Sequence, residues 1–147
     1  MQIPKRRFII YYLPVFIYVA IILALSTIPP DSIPDVETAF PIDKVVHFFE
    51  YGVFAVILFR AFIHSGFLSA GKTSMLIFLC IAAMGAIDES YQHFTGRSSD
   101  LYDWLADCLG GITASLFCFM LNIKLKSVKN GKRWNFWLRK IVCDDEG

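Results

Sequence analysis

The chain has 147 residues, 56% of them hydrophobic, and a mean hydropathy of +0.53. Its 14 Lys+Arg and 13 Asp+Glu nearly cancel, so the charge balance gives no footprint for a nucleic-acid partner. The charges lie in blocks between long uncharged runs, which excludes an ordinary soluble domain and is the pattern of a single membrane-embedded one.

The first run, "FIIYYLPVFIYVAIILALSTI" from Phe8 to Ile28, follows Lys5, Arg6 and Arg7. It is too long for the apolar region of a signal peptide, no small-x-small cleavage site follows it, and it matches the roughly 20 residues a bilayer crossing needs. It reads as a retained transmembrane helix, with Pro14 tolerated near its entry. "PPDSIPDVETAFPIDK", with four prolines and four acids, reads as a loop. A second apolar run, "VVHFFEYGVFAVILF", continues to Arg60 and Ile63, and "HSGFLSAGK" links it to a third that is uncharged from Thr73 to Ile87. The fourth, Leu101 to Leu121, is followed by a basic tail ending in "CDDEG". Within the tail, "KRWNFWLRKIV" spaces Trp134, Trp137, Leu138 and Ile141 as an amphipathic helix would, so it reads either as an interfacial helix or as a solvated basic tail.

The fold class expected is therefore all-α: four transmembrane helices in a domain spanning 1–123, with 124–147 as a basic cytoplasmic tail. Lys and Arg set the orientation. Three precede the first helix, Arg60 and Lys72 flank the second link, and seven lie beyond Leu121, whereas the other two loops hold only Lys44 and Arg97. Both termini are expected inside and the acidic loop outside. Cys80, Cys108, Cys118 and Cys143 show no metal-binding spacing and read as inert thiols.

The acids have a common level. Glu50 lies six residues beyond Lys44 and Asp107 six beyond Leu101, about 9 Å along each axis. The third helix reaches the same surface near Asp88 and Glu89. Asp43, His47 and Glu50 share one helical face, as do Asp100, Asp103 and Asp107, and Asp88 and Gln92 repeat the spacing. A carboxylate facing lipid is penalised by at least ~2.5 kcal/mol on insertion scales. Turning inward lets these acids share Lys44, His47, His93 and Arg97 around one polar cavity. Asp43 and Asp100 also read as helix caps in the headgroup region. Ala106, Gly110 and Ala114, Gly111 and Ser115, and Ala82 and Ala86 form small-residue faces for close helix packing.

No hydrolase elbow, zincin or P-loop motif is present. A histidine with several carboxylates suits a divalent metal or general acid–base work, and Arg97 suits an anionic headgroup. Spacing alone identifies neither a metal nor a cofactor.

"DKVVHFFEYGVFAVIL" followed by "DESYQHFTGRSSDLYDWLADCLGG" resembles the VanZ-like family of bacterial membrane proteins over roughly residues 8 to 121. The first block falls on Asp43, Lys44, His47 and Tyr51. The second falls on Asp88, Glu89, Gln92, Phe94, Gly96, Arg97, Asp103, Asp107 and Gly110. Thr95-Gly96-Arg97 stands where the family commonly has Pro-Gly-Arg, and Glu50 rests on the depth argument alone. The resemblance implies a multi-pass protein of the bacterial cytoplasmic membrane and an association with low-level teicoplanin resistance.

Two functions follow as expectations. One is a binding protein of the cell envelope whose outward cavity takes a lipid headgroup, a lipid-linked wall precursor or a glycopeptide. Asp43, Lys44, Tyr51, Asp88, Glu89, Gln92 and Arg97 would serve as ligand-binding residues. The alternative is a membrane enzyme acting on an outer-leaflet lipid phosphate or acyl group, with His47, Glu50, Asp103 and Asp107 as its acid–base or metal-binding groups. Four helices without a repeat make a poor alternating-access transporter.

Overall fold

The computed structural model describes residues 6, 8–28, 42–65, 69–96 and 100–129, with side chains described as far as 126. Arg97, Ser98, Ser99 and the amphipathic stretch of the tail lie outside the described residues. Four helices make up the described chain: α1 (Phe8–Ser26), α2 (Ile42–Ile63), α3 (Ala70–Phe94) and α4 (Leu101–Lys129). Each is long and apolar enough to cross a bilayer. The last continues beyond residue 123, where the sequence suggests the tail begins.

Local chemistry accounts for the helix ends. Pro14 cannot donate to the carbonyl of Ile10 and its ring crowds that carbonyl, so the chain from Phe8 to Tyr12 opens into a wider π-helical turn before the α-helix proper begins at Leu13. Nη1 of Arg60 donates to the Ile10 carbonyl from α2 at 3.3 Å, and its guanidinium lies 5.0 Å from the centre of the Tyr11 ring. At the far end of α3, Gly96 takes φ +83°, the left-handed conformation that stops a helix, and its N–H meets the carbonyl of His93 at 3.4 Å. α4 starts one residue after Asp100, whose Oδ1 accepts the N–H of Tyr102 at 3.0 Å and caps the helix. Asp43, by contrast, is already in the first turn of α2 rather than ahead of it.

The most extensive packing is between α2 and α4, which run parallel, with α3 returning antiparallel against both and α1 lying along α2 and α3. Gly110 permits this approach. A β-carbon there would stand 2.0 Å from the carbonyl oxygen of Phe48, so any larger residue drives α4 away from α2. The adjacent Gly111 does the same toward α3, where its β-carbon would lie 2.8 Å from Cγ2 of Ile81. Among the other small residues, Ala86 is exposed and Ala82 half-buried, and the close contact on α3 is made by Gly85 instead.

Ile22, Tyr51, Phe54, Ala55, Leu58, Phe59, Ile77 and Ile81 form the apolar core. Tyr18 of α1 stacks on Phe54, ring centres 5.9 Å apart, and its hydroxyl donates to the Glu50 carbonyl at 3.0 Å. The exterior is more apolar than the interior at one end of the bundle. Phe49 is 64% exposed whereas Asp107 is wholly buried, the reverse of a water-soluble protein and the arrangement a bilayer favours.

Candidate functional site

Three helices bring their polar residues to one end: the start of α2, the end of α3 and the start of α4. The buried face of α2 runs through His47, Tyr51, Phe54 and Leu58. His47 therefore points inward with Tyr51, one turn further on, while Asp43 is exposed and Glu50 half-buried. Asp43 and Glu50 lie about 40° and 60° to one side of His47 around the helix, whereas Tyr51 lies about 40° to the other, so the inward arc is centred past both acids. Glu50 lies near Tyr18 and Tyr51.

On α4, Asp103 and Asp107 are both buried, and Asp100 remains at the rim. Lys44 reaches across from α2 and donates from Nζ to Asp100 Oδ2 at 2.9 Å and to Asp103 Oδ1 at 2.8 Å. The ammonium, and after it the N–H of Tyr102, hold the Asp100 carboxyl below the ordinary carboxylate range. One turn deeper, Nδ1 of His47 stands 2.9 Å from Oδ1 of Asp107, both side chains almost wholly enclosed. Oδ2 of Asp107 is buried without a hydrogen-bond partner among the described residues. It lies 2.9 Å from where a β-carbon on Gly85 would stand, so the absence of a side chain there gives this carboxylate its room.

α3 contributes Asp88, Glu89 and Gln92, all buried. Oε2 of Glu89 accepts the backbone N–H of Asp100 at 2.9 Å and so ties α3 to the start of α4. Asp88 accepts from Nε2 of Gln92 at 3.3 Å and from the hydroxyl of Ser26 on α1. The Ser26 hydroxyl is also 2.9 Å from the carbonyl of Ile22, and its single proton serves one acceptor at a time. Thr95 donates to the Ser26 carbonyl at 3.2 Å. Ser26 and Thr95 are the site residues that motif reading missed. The signal for Ser26 was present as the first serine after the apolar run from Val19 to Leu25.

His47, Lys44, Tyr51, Asp88, Glu89, Gln92, Asp103 and Asp107 are thus gathered at one end of the bundle over about two helical turns, with Asp43 and Asp100 at the edge. His93 faces away: it is exposed, beside the ring of Phe94. Its position one residue after Gln92 rotates it about 100° off the buried face. Cys80, Cys108 and Cys118 are free thiols, and Cys143 lies outside the described residues.

Among the described residues, nitrogen and oxygen atoms come close enough together in two places to hold a cation. One trio is His47, Glu89 and Asp107; the other is Asp43, His47 and Asp103, nearer the edge. In each, the candidate ligand atoms lie within 4.8 Å of one another. Chemically the cluster can accept a cationic or hydrogen-bond-donating group, relay a proton between His47 and Asp107, or hold a metal ion.

The model of the VanZ/LLP1 family matches residues 6–122, which takes in all four helices and the whole polar cluster. The chain belongs to this family. No curated protein and no solved structure matches it.

Proposed function

Starting from membership of the VanZ/LLP1 family, we propose that this chain is a multi-pass binding protein of the bacterial cytoplasmic membrane whose polar cluster lines an outward-facing cavity for a polar group at the membrane surface. The asymmetry of Lys and Arg supports the orientation, since the end carrying the cluster has the fewest of them. The ligand class is the head of a membrane lipid or a lipid-linked wall precursor, or a glycopeptide bound at the same level, as in low-level teicoplanin resistance.

One observation carries the reading. Asp88, Asp103 and Asp107 are almost fully buried at one end of a bundle whose outer surface is lipid-like, together with His47 and Gln92. Burying several ionisable groups within a membrane span is expensive, and such groups characteristically mark a binding or transport function. The described cluster is rich in acids and its one ammonium already meets Asp100 and Asp103, so it favours hydrogen-bond donors and cations on the ligand. Arg97, outside the described residues, is the counterpart for a phosphate.

The catalytic reading rests on the enclosed His47–Asp107 pair, whose geometry suits proton transfer. No serine or cysteine nucleophile among the described residues hydrogen-bonds to His47.

Native mass spectrometry of the protein released from mild detergent tests the proposal. A discrete lipid or lipid-linked molecule retained by the wild type and lost in Arg97→Ala and Gln92→Leu supports it. A bare protein, or equal retention in all three, sinks it.

A further inference from the structure

We propose that His47, Glu89 and Asp107 form a binding site for one divalent first-row transition-metal ion, such as Zn²⁺ or Mn²⁺, inside the bundle. This site goes beyond the headgroup reading and stands or falls separately from it.

Three features argue for the inner trio. First, the ligands come from three helices, α2, α3 and α4, and all three residues are buried, so lipid and bulk water are both excluded from them. Second, Oδ2 of Asp107, on a residue with no exposure at all, has no hydrogen-bond partner among the described residues. A buried carboxylate oxygen left without a donor is costly, and a cation removes that cost. Oδ2 faces α3 at Gly85, one helical turn before Glu89, and so lies on the side from which Glu89 approaches. Third, the imidazole of His47 already lies beside this carboxylate, its Nδ1 2.9 Å from Oδ1, and one ligand atom from each of the three residues lies within 4.8 Å of the others, so a nitrogen and both carboxylates are within reach of one ion.

The donor set selects the metal class. One imidazole nitrogen with two carboxylates suits zinc, manganese or iron, whereas calcium and magnesium prefer all-oxygen shells with more ligands. Three protein ligands also leave a coordination position open, as in catalytic rather than structural zinc sites. The outer trio is the weaker site, because Asp103 already meets the Lys44 ammonium and Asp43 is exposed.

The test uses the full chain in mild detergent with any affinity tag removed. The protein is stripped with chelator, reloaded with Zn²⁺, Mn²⁺, Mg²⁺ or Ca²⁺, desalted and analysed for metal by mass spectrometry. About one Zn²⁺ or Mn²⁺ per chain is expected, with affinity at least about tenfold weaker in Glu89→Gln and Asp107→Asn, since even groups behind a metal's ligands matter that much. Glu89→Gln keeps an acceptor for the Asp100 N–H, so its fold is expected to survive. Cobalt reloading of the wild type needs no variant: a visible absorption band of a low-coordinate nitrogen–oxygen site is expected. Absence of stoichiometric metal, a preference for Ca²⁺ or Mg²⁺, or metal lost in Asp43→Asn but not in Glu89→Gln would overturn the assignment.

Discussion

His47 and Asp107 are 60 residues apart in sequence and meet at 2.9 Å, almost wholly enclosed between α2 and α4. The same pair therefore joins the two helices that pack most closely and sits in the middle of the acidic cluster. Its structural and functional contributions separate by mutation. Removing one partner strands a buried polar group, so Asp107→Ala is expected to lower stability by about 3–5 kcal/mol. Replacing both, as in His47→Leu/Asp107→Leu, is expected to recover most of that loss because no polar group of the pair is left unmatched. Thermal unfolding in detergent measures both. A double variant as unstable as the single one would show that the pair's shape, not its polarity, holds the helices.

The approach of α2 and α4 depends on Gly110. Gly110→Ala places a methyl group on the Phe48 carbonyl and is expected to cost about 1–3 kcal/mol or more through forced separation of the helices. Gly52 is the internal control, since a β-carbon there would lie 3.7 Å from the Gly110 carbonyl, an ordinary contact. Gly52→Ala is expected to be neutral or to stabilise by up to about 1 kcal/mol, as alanine favours the helix. Equal effects at the two positions, read by the same unfolding assay, would contradict this packing.

At the rim, Asp100→Asn keeps the cap on Tyr102, because asparagine caps as well as aspartate, and removes only the charge facing Lys44. Pairing holds the Asp100 carboxyl below its ordinary value of 3.8 in the folded protein. A depressed value means the stabilisation is complete above the unfolded-state value and is lost as the pH falls through the folded-state one. The stability difference between wild type and Asp100→Asn is therefore expected to be flat from about pH 5 to pH 8 and to shrink only in stronger acid. Unfolding midpoints across a buffer series check it, and a difference that varies through neutrality would contradict this pairing.

Much of this protein was legible from the chain alone. Each long uncharged run has to become a helix in lipid, because a backbone without water must satisfy its own hydrogen bonds, so four runs gave four helices. The level of the acids was legible for the same reason: rise per residue converts sequence position into depth. The family signature was also readable, and it includes Gly96, whose left-handed backbone stops α3; the cap at Asp100 followed separately from local helix chemistry.

The cost of facing acids to lipid had already turned Asp88, Gln92, Asp103 and Asp107 inward, but the exact rotation of each helix was decided by tertiary packing. Of the face drawn through Asp43, His47 and Glu50, His47 is buried together with Tyr51, Glu50 is half-buried, and Asp43 stays at the rim near His47 and Asp103, because Gly110 and Gly111 fix the rotation of α4 and α2 must fit against it. His93 was lost from the cluster by the same rotational logic, and Ser26 was gained because α1 ends beside Asp88. Periodicity specifies a helix and its depth, but the apolar faces of these helices are nearly uniform, so hydrophobicity alone does not orient them. Close contacts at three glycines, and the need of buried carboxylates for donors from neighbouring helices, do.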